Sequence, residues 1–271
     1  MRAQLSVPAT VGATLLAFTT VPAAAHPREP VRFEGVSAAA LLAELDECEP
    51  VSKGRYRSDR GAPADIPVCG TEDAVFWKAD MDIDCDGRPG PRCNRATDPW
   101  FWPATAYKQS DGRYLNAETL PFIVLPAPSD IWDHRAHGVR GGSVAAVIYR
   151  DRVQYAVVGD IGPRQIIGEA SYATAKSLGI RTDPRTGGVA SGVTYVVFKN
   201  TRVTPIEDHQ EAVAQGEALA RKLVEVRGRP DAGSGPEPDP AYGRALITPS
   251  GTSTPLWPPP PPPRDPRQPR P

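Results

Sequence analysis

The sequence predicts a mainly β domain with packed helices, its sheet curled into a barrel of antiparallel or mixed strands. Two observations carry this prediction. Short runs of β-branched and aromatic residues recur at irregular spacing, joined by long polar loops, which disfavours a doubly wound sheet. Several of these runs are apolar over nearly their whole length, as strands covered on both faces or closed on themselves must be.

In chain order, Ser37 is placed to cap a short helix to Leu45, with Leu41, Leu42 and Leu45 as its apolar stripe. Residues 51–64 read as loop. Ala74 to Lys78 reads as a strand that feeds the acidic run beginning at Asp80, and Gly87 to Pro103 as an irregular segment carrying Trp100, Phe101 and Trp102. Pro121 and Pro126 bracket the strand Phe122 to Leu125. Ser143–Tyr149 and Gln154–Val158 suit a hairpin turning at Asp151-Arg152, and Val193–Phe198 is a further strand. One helix is expected over about Glu169–Leu178, stopped by Gly179. Another follows Pro205, with Asp208 and Glu211 in capping-box spacing.

The two ends fall outside this domain. Residues 1–25 follow the plan of a secretory signal peptide: Arg2, an apolar stretch Val11–Phe18, then Ala23-Ala24-Ala25. The apolar run is shorter than the roughly 20 residues a membrane-spanning helix needs. Residues 229–271 hold 15 of the chain's 32 prolines, including the run Pro258–Pro263, and read as an extended, disordered tail. Residues 26–228 remain, enough for one domain with a sizeable core. A formal net charge of −1 argues against nucleic acid as a partner. Cys48, Cys69, Cys85 and Cys93 form an even set in a chain read as exported, hence two disulfides. Of three connectivities, Cys48–Cys69 and Cys85–Cys93 are expected because each closes a local loop. The spacings lack the C-x-x-C pair of a zinc site.

The most informative stretch runs from Tyr155 to Tyr172. An apolar strand ends at Gly159 and Asp160 follows at once; a Gly-Pro turn and a short link then lead to Glu169 at an expected helix start. Two carboxyls held by neighbouring elements over one cleft are what glycoside hydrolysis requires, one protonated and one ionised. Spacing alone also allows Glu169 to be a helix N-terminal acid and Asp160 to bind its own turn. Upstream, Asp80, Asp82 and Asp84 alternate and would point one way from an extended segment. Such a row repels itself and calls for a cation, whether the ammonium groups of an aminosugar polymer or a metal. Asp82-x-Asp84-x-Asp86-Gly87 matches half a calcium loop, but the twelfth position is Cys93, which offers no bidentate carboxylate. Trp77, Trp100, Trp102, Tyr107 and Trp132 offer ring faces for sugars or cations, and equally for a core. Asp133-His134-x-x-His137 lacks the context of a zinc-protease helix, and Gly141-Gly142-Ser143 lacks the nucleophile elbow.

Three pieces, Phe76-Trp-Lys-Ala-Asp-Met-Asp-Ile-Asp-Cys-Asp-Gly87, Val158-Gly-Asp-Ile-Gly-Pro163 and Ile167-Gly-Glu-Ala-Ser171, resemble glycoside hydrolase family 75, chitosanases of fungi and actinobacteria. The resemblance implies an endo-acting, inverting enzyme that cuts β-1,4 linkages between glucosamine units of chitosan. It also implies a six-stranded barrel of double-psi type, similar to that of family 45 endoglucanases. Carried over, Glu169 is the general acid and Asp160 the base; Asp80, Asp82, Asp84, Trp77, Trp100 and Trp102 are expected to bind substrate. The remaining expectations are a secreted, extracellular monomer whose partners are chitosan and its oligomers, with no cofactor, no metal and no membrane span. A noncatalytic polysaccharide-binding domain or a calcium-stabilised secreted domain is the alternative.

Overall fold

A computed structural model describes residues 35–227. The expected signal peptide and proline-rich tail lie outside the described residues. The described chain is mainly β, as expected, with eight strands and three α-helices: α1 (Ala38–Ala43), β1 (Glu49–Pro50), β2 (Cys69–Gly70), β3 (Ala74–Asp84), β4 (Phe122–Pro126), β5 (Val144–Tyr149), β6 (Arg152–Gly162), β7 (Glu169–Ser171), α2 (Tyr172–Leu178), β8 (Val189–Phe198) and α3 (His209–Arg227). A 3-10 turn covers His134–His137.

Six strands close a barrel in the order β3-β7-β4-β6-β5-β8, with β8 returning to β3. Most neighbours are antiparallel, but β3–β7 and β4–β6 are parallel, so the sheet is mixed. The apolar runs are explained by burial on both faces. One cluster, with Val75, Trp77, Ala79, Met81, Ile123, Leu125, Val158 and Tyr195, includes Ala175 and Leu178 of α2. Because α2 packs against β3, β4, β5, β6 and β7 together, it closes one end of the barrel and this cluster is the barrel's interior. The other cluster, with Phe76, Phe122, Val124, Val157, Val196 and Phe198, lies on the outer face under α1 and α3.

Local chemistry sets the helix ends. Ser37 Oγ accepts from Ala40 N at 3.1 Å, and Asp208 Oδ1 accepts from Glu211 N at 3.0 Å. Helix α2 starts at Tyr172, not at Glu169, because Ser171 is its cap and accepts from Thr174 N at 3.2 Å. Its stop at Gly179 is as expected, in the left-handed region at φ 73°. Residues 169–171 are instead a strand wedged between β3 and β4. The hairpin turns one residue earlier than expected: Tyr149 pairs with Arg152 across Arg150-Asp151. Both expected disulfides form, Cys48–Cys69 and Cys85–Cys93, with Cα separations of 5.1 and 4.9 Å. With every cysteine so paired, a thiolate zinc site is excluded.

Candidate active site

Strand β3 obeys a period of two. Its odd positions Val75, Trp77, Ala79 and Met81 enter the barrel, so Asp80, Asp82 and Asp84 share the outer face with Phe76. Asp82 is exposed, whereas Asp80 and Asp84 are each 5 % exposed.

On β6 the same period, followed from Val158, would send Asp160 into the barrel. A bulge prevents this. Val158 pairs with Ile123 and Asp160 with Val124, leaving Gly159 as the extra residue. The bulge reverses the alternation, so Asp160 joins Val124 on the outer face and Ile161 turns inward with Leu125. Only glycine fits there: a Cβ on Gly159 would stand 2.5 Å from both Cβ and Cγ of Phe122.

Glu169 pairs with Val124 from the other side and with Asp82 on β3. Asp82, Glu169, Val124 and Asp160 therefore form one lateral row across four strands. Two strand spacings of about 4.8 Å place the Cα atoms of Asp160 and Glu169 roughly 10 Å apart, side chains on the same face. Glu169 leans toward β6; a Cβ on Gly162 would lie 3.2 Å from its Oε2.

Asp160 is 7 % exposed, and its Oδ1 accepts from Ala106 N at 2.6 Å and from Ile161 N at 2.7 Å. Burial raises its carboxyl to about 6, with those two hydrogen bonds pulling the other way. Glu169 is raised further, to about 8, by burial first and then by the charges of Asp82, Asp86, Asp160 and Asp80. Asp80 rises to about 7, mainly from burial and then from Asp82. Burial, then Glu169, Asp160 and Asp86, hold Asp84 well above the usual carboxylate range. The row can thus keep one acid protonated beside another that is ionised.

A cavity of about 490 Å³ opens beside Asp80, with Asp46, Asp65 and Lys78 also in its polar lining and Leu45, Ile66 and Phe76 among its apolar walls; Asp82, Asp160 and Glu169 do not line it. The structure brings Trp102 to the acids, its N donating to Asp86 Oδ1 at 2.6 Å. Trp100, two residues away, is 89 % exposed. Trp77 is not brought there. It is fully buried, stacked on Tyr195 at 5.3 Å inside the barrel, and offers no face to a ligand. Trp132 packs edge-on against Trp77, and His134 is buried with Nδ1 2.9 Å from Val139 O. Both belong to the core.

A family model described as "Fungal chitosanase of glycosyl hydrolase group 75" matches residues 81–225, more than half of the 271 residues. The chain belongs to glycosyl hydrolase group 75. The matched span holds the whole row from Asp82 to Glu169, while Trp77 and Asp80 precede it. Among relatives of this group 75 chain, "Endo-chitosanase C" of Aspergillus oryzae is 34 % identical over 133 residues, 47 % of this chain and 32 % of that protein. An "Endo-chitosanase" of the same species is 30 % identical over 140 residues, 47 % of this chain and 56 % of the relative. One from Aspergillus fumigatus is 29 % identical over 142 residues, covering 48 % and 60 %. The group 75 chain thus spans about a third to three fifths of the length of these relatives.

Sequence reasoning did not single out two contributors to this candidate site. Asp86 was visible as the third acid of Asp82-x-Asp84-x-Asp86. The Ala106 backbone N–H, which orients Asp160 from 54 residues away, leaves no trace in residue types.

Proposed function

We propose that the chain is an endo-acting chitosanase that hydrolyses β-1,4 linkages between glucosamine units with inversion, on a barrel of double-psi type. The observation that carries this reading is the lateral row in which Asp160 and Glu169 flank Val124 and face the same way. The names of the relatives, endo-chitosanases, supply the substrate. The parallel β4–β6 and β3–β7 pairs, within an otherwise antiparallel barrel, support the double-psi assignment.

Glu169, with the higher proton affinity, gives its proton to the glycosidic oxygen as the bond from that oxygen to the anomeric carbon breaks. Asp160, ionised above about pH 6, takes a proton from a water whose oxygen attacks that carbon from the opposite face. The new hydroxyl is then α where the linkage was β. Inversion needs carboxyls about 6.5–9.5 Å apart to admit this water. A Cα separation of two strand spacings, shortened by the lean of Glu169, suits that range. Asp80, Asp82 and Asp84 face the substrate's ammonium groups, and the exposed rings of Trp100 and Trp102 offer sugar-stacking faces. Disulfides support an exported enzyme, which acts as a monomer outside the cell. No helix among the described residues is long and apolar enough to cross a membrane.

The test is release of reducing ends from soluble chitosan. Asp160→Asn and Glu169→Gln proteins should fold and lose nearly all of it. Retention of most activity in either variant counts against the assignment, and no release by the unmodified chain leaves only a binding domain.

A further inference from the structure

Asp84, Asp86 and Asp160 converge from the end of β3, the loop after it, and β6; one carboxylate oxygen from each lies within 4.8 Å of the others. Each carboxylate is fixed by a backbone N–H. Asp84 Oδ1 accepts from Asp86 N at 2.6 Å, Asp86 Oδ1 from Trp102 N at 2.6 Å, and Asp160 Oδ1 from Ala106 N and Ile161 N. A second observation is independent of the clustering. Asp84 is 5 % exposed, and its Oδ2 is buried with no hydrogen-bond partner. An unsatisfied buried carboxylate oxygen costs free energy unless a cation or a proton reaches it. The charges acting on Asp84 are those of Glu169, Asp160 and Asp86, all of its own sign.

From this geometry we infer that Asp84, Asp86 and Asp160 form a binding site for one calcium ion, and that calcium bound there blocks catalysis by occupying Asp160. The regulatory half of this inference rests on the proposed role of Asp160 as base. The donor set consists only of carboxylate oxygens, which suits a hard cation. Calcium holds its ligands at about 2.3–2.6 Å, so oxygens on opposite sides of one ion stand up to about 5 Å apart, and the observed limit of 4.8 Å fits. Waters would complete the shell. The arrangement is not the calcium loop suggested by Asp82-x-Asp84-x-Asp86-Gly87. Asp82 is not among the three converging acids, Cys93 is locked in a disulfide, and the third ligand comes from β6. The ion and a substrate ammonium would compete for the same acids, so calcium acts as an inhibitor and not as a helper.

The experiment titrates the full chain with calcium chloride against sodium chloride of matched ionic strength, by calorimetry, thermal unfolding and chitosan hydrolysis. One calcium per chain is expected, with a rise in Tm. Hydrolysis at low substrate should fall about a hundredfold at calcium about a hundred times its Kd. Asp84→Asn should abolish the heat and the Tm rise. Asp86→Asn, at a partly exposed position, tests the same ligand set should the Asp84 variant fail to fold. No saturable binding beyond the sodium control overturns the site, as does binding that persists in both variants. Saturable binding lost in the variants, with hydrolysis unaffected, upholds calcium binding at Asp84 and Asp86 and overturns the block through Asp160. Calcium bound by a chain that never cuts chitosan upholds the site and overturns the proposed function alone.

Discussion

Glu169→Gln should make the protein more stable, and increasingly so as pH rises. In the folded chain burial and neighbouring carboxylates lift Glu169 to about 8, whereas unfolded it titrates at its ordinary value of 4.5. Between those values the folded state holds a proton that the unfolded state has released, so stability falls as pH rises through the window. Each pH unit costs about 1.36 kcal/mol, and from about pH 5 to 8 the loss sums to roughly 3.5 kcal/mol as an upper bound. Glu169 is only partly shielded from solvent, so we expect about 1–3 kcal/mol after screening. Glutamine cannot ionise and escapes this penalty. Urea unfolding of both proteins at several pH values, disulfides intact, reads the difference directly. The gap should be small near pH 5 and widen toward pH 8, while the variant loses hydrolysis. A stability difference that stays constant with pH, or narrows as pH rises, would refute the claim that this site holds a strained proton.

Three further outcomes follow from the same geometry. Hydrolysis should rise as pH passes about 6, where Asp160 ionises, and fall above about 8, where Glu169 loses its proton; both limbs belong to the coupled pair, and a profile still climbing past pH 9 contradicts the assignment. Gly159→Ala forces a Cβ against the Phe122 ring, which should cost about 1–3 kcal/mol and, by shifting Asp160, about a hundredfold in kcat; normal activity would remove the bulge from the argument. Trp100→Ala, at 89 % exposure, should leave stability within about 0.5 kcal/mol and raise KM for chitosan oligomers about two- to fivefold, and an unchanged KM would separate that ring from substrate.

Much of this was legible in residue types. The β-branched runs gave β4, β5 and β8, the caps Ser37 and Asp208 marked α1 and α3, and the alternation of Asp80, Asp82 and Asp84 gave one acidic face. The same period of two places Trp77, at odd parity, on the opposite face, so its exclusion from the surface was readable wherever the row itself was. Glu169 misled because an acid before Ala-Ser-Tyr resembles a helix start. Its strand pairing depends on β3 and β4, which lie more than 40 residues earlier. The orientation of Asp160 was equally hidden. It depends on a one-residue bulge whose only local mark is Gly159, and on a hydrogen bond from distant Ala106.

Proton NMR of the first sugar released from a chitosan oligomer tests the account most directly. With Asp160 and Glu169 working from opposite faces of the sugar, the new reducing end should appear as the α anomer and only later equilibrate. A β anomer appearing first would mean a covalent, retaining route and would contradict the assignment of Asp160 as the residue that activates water.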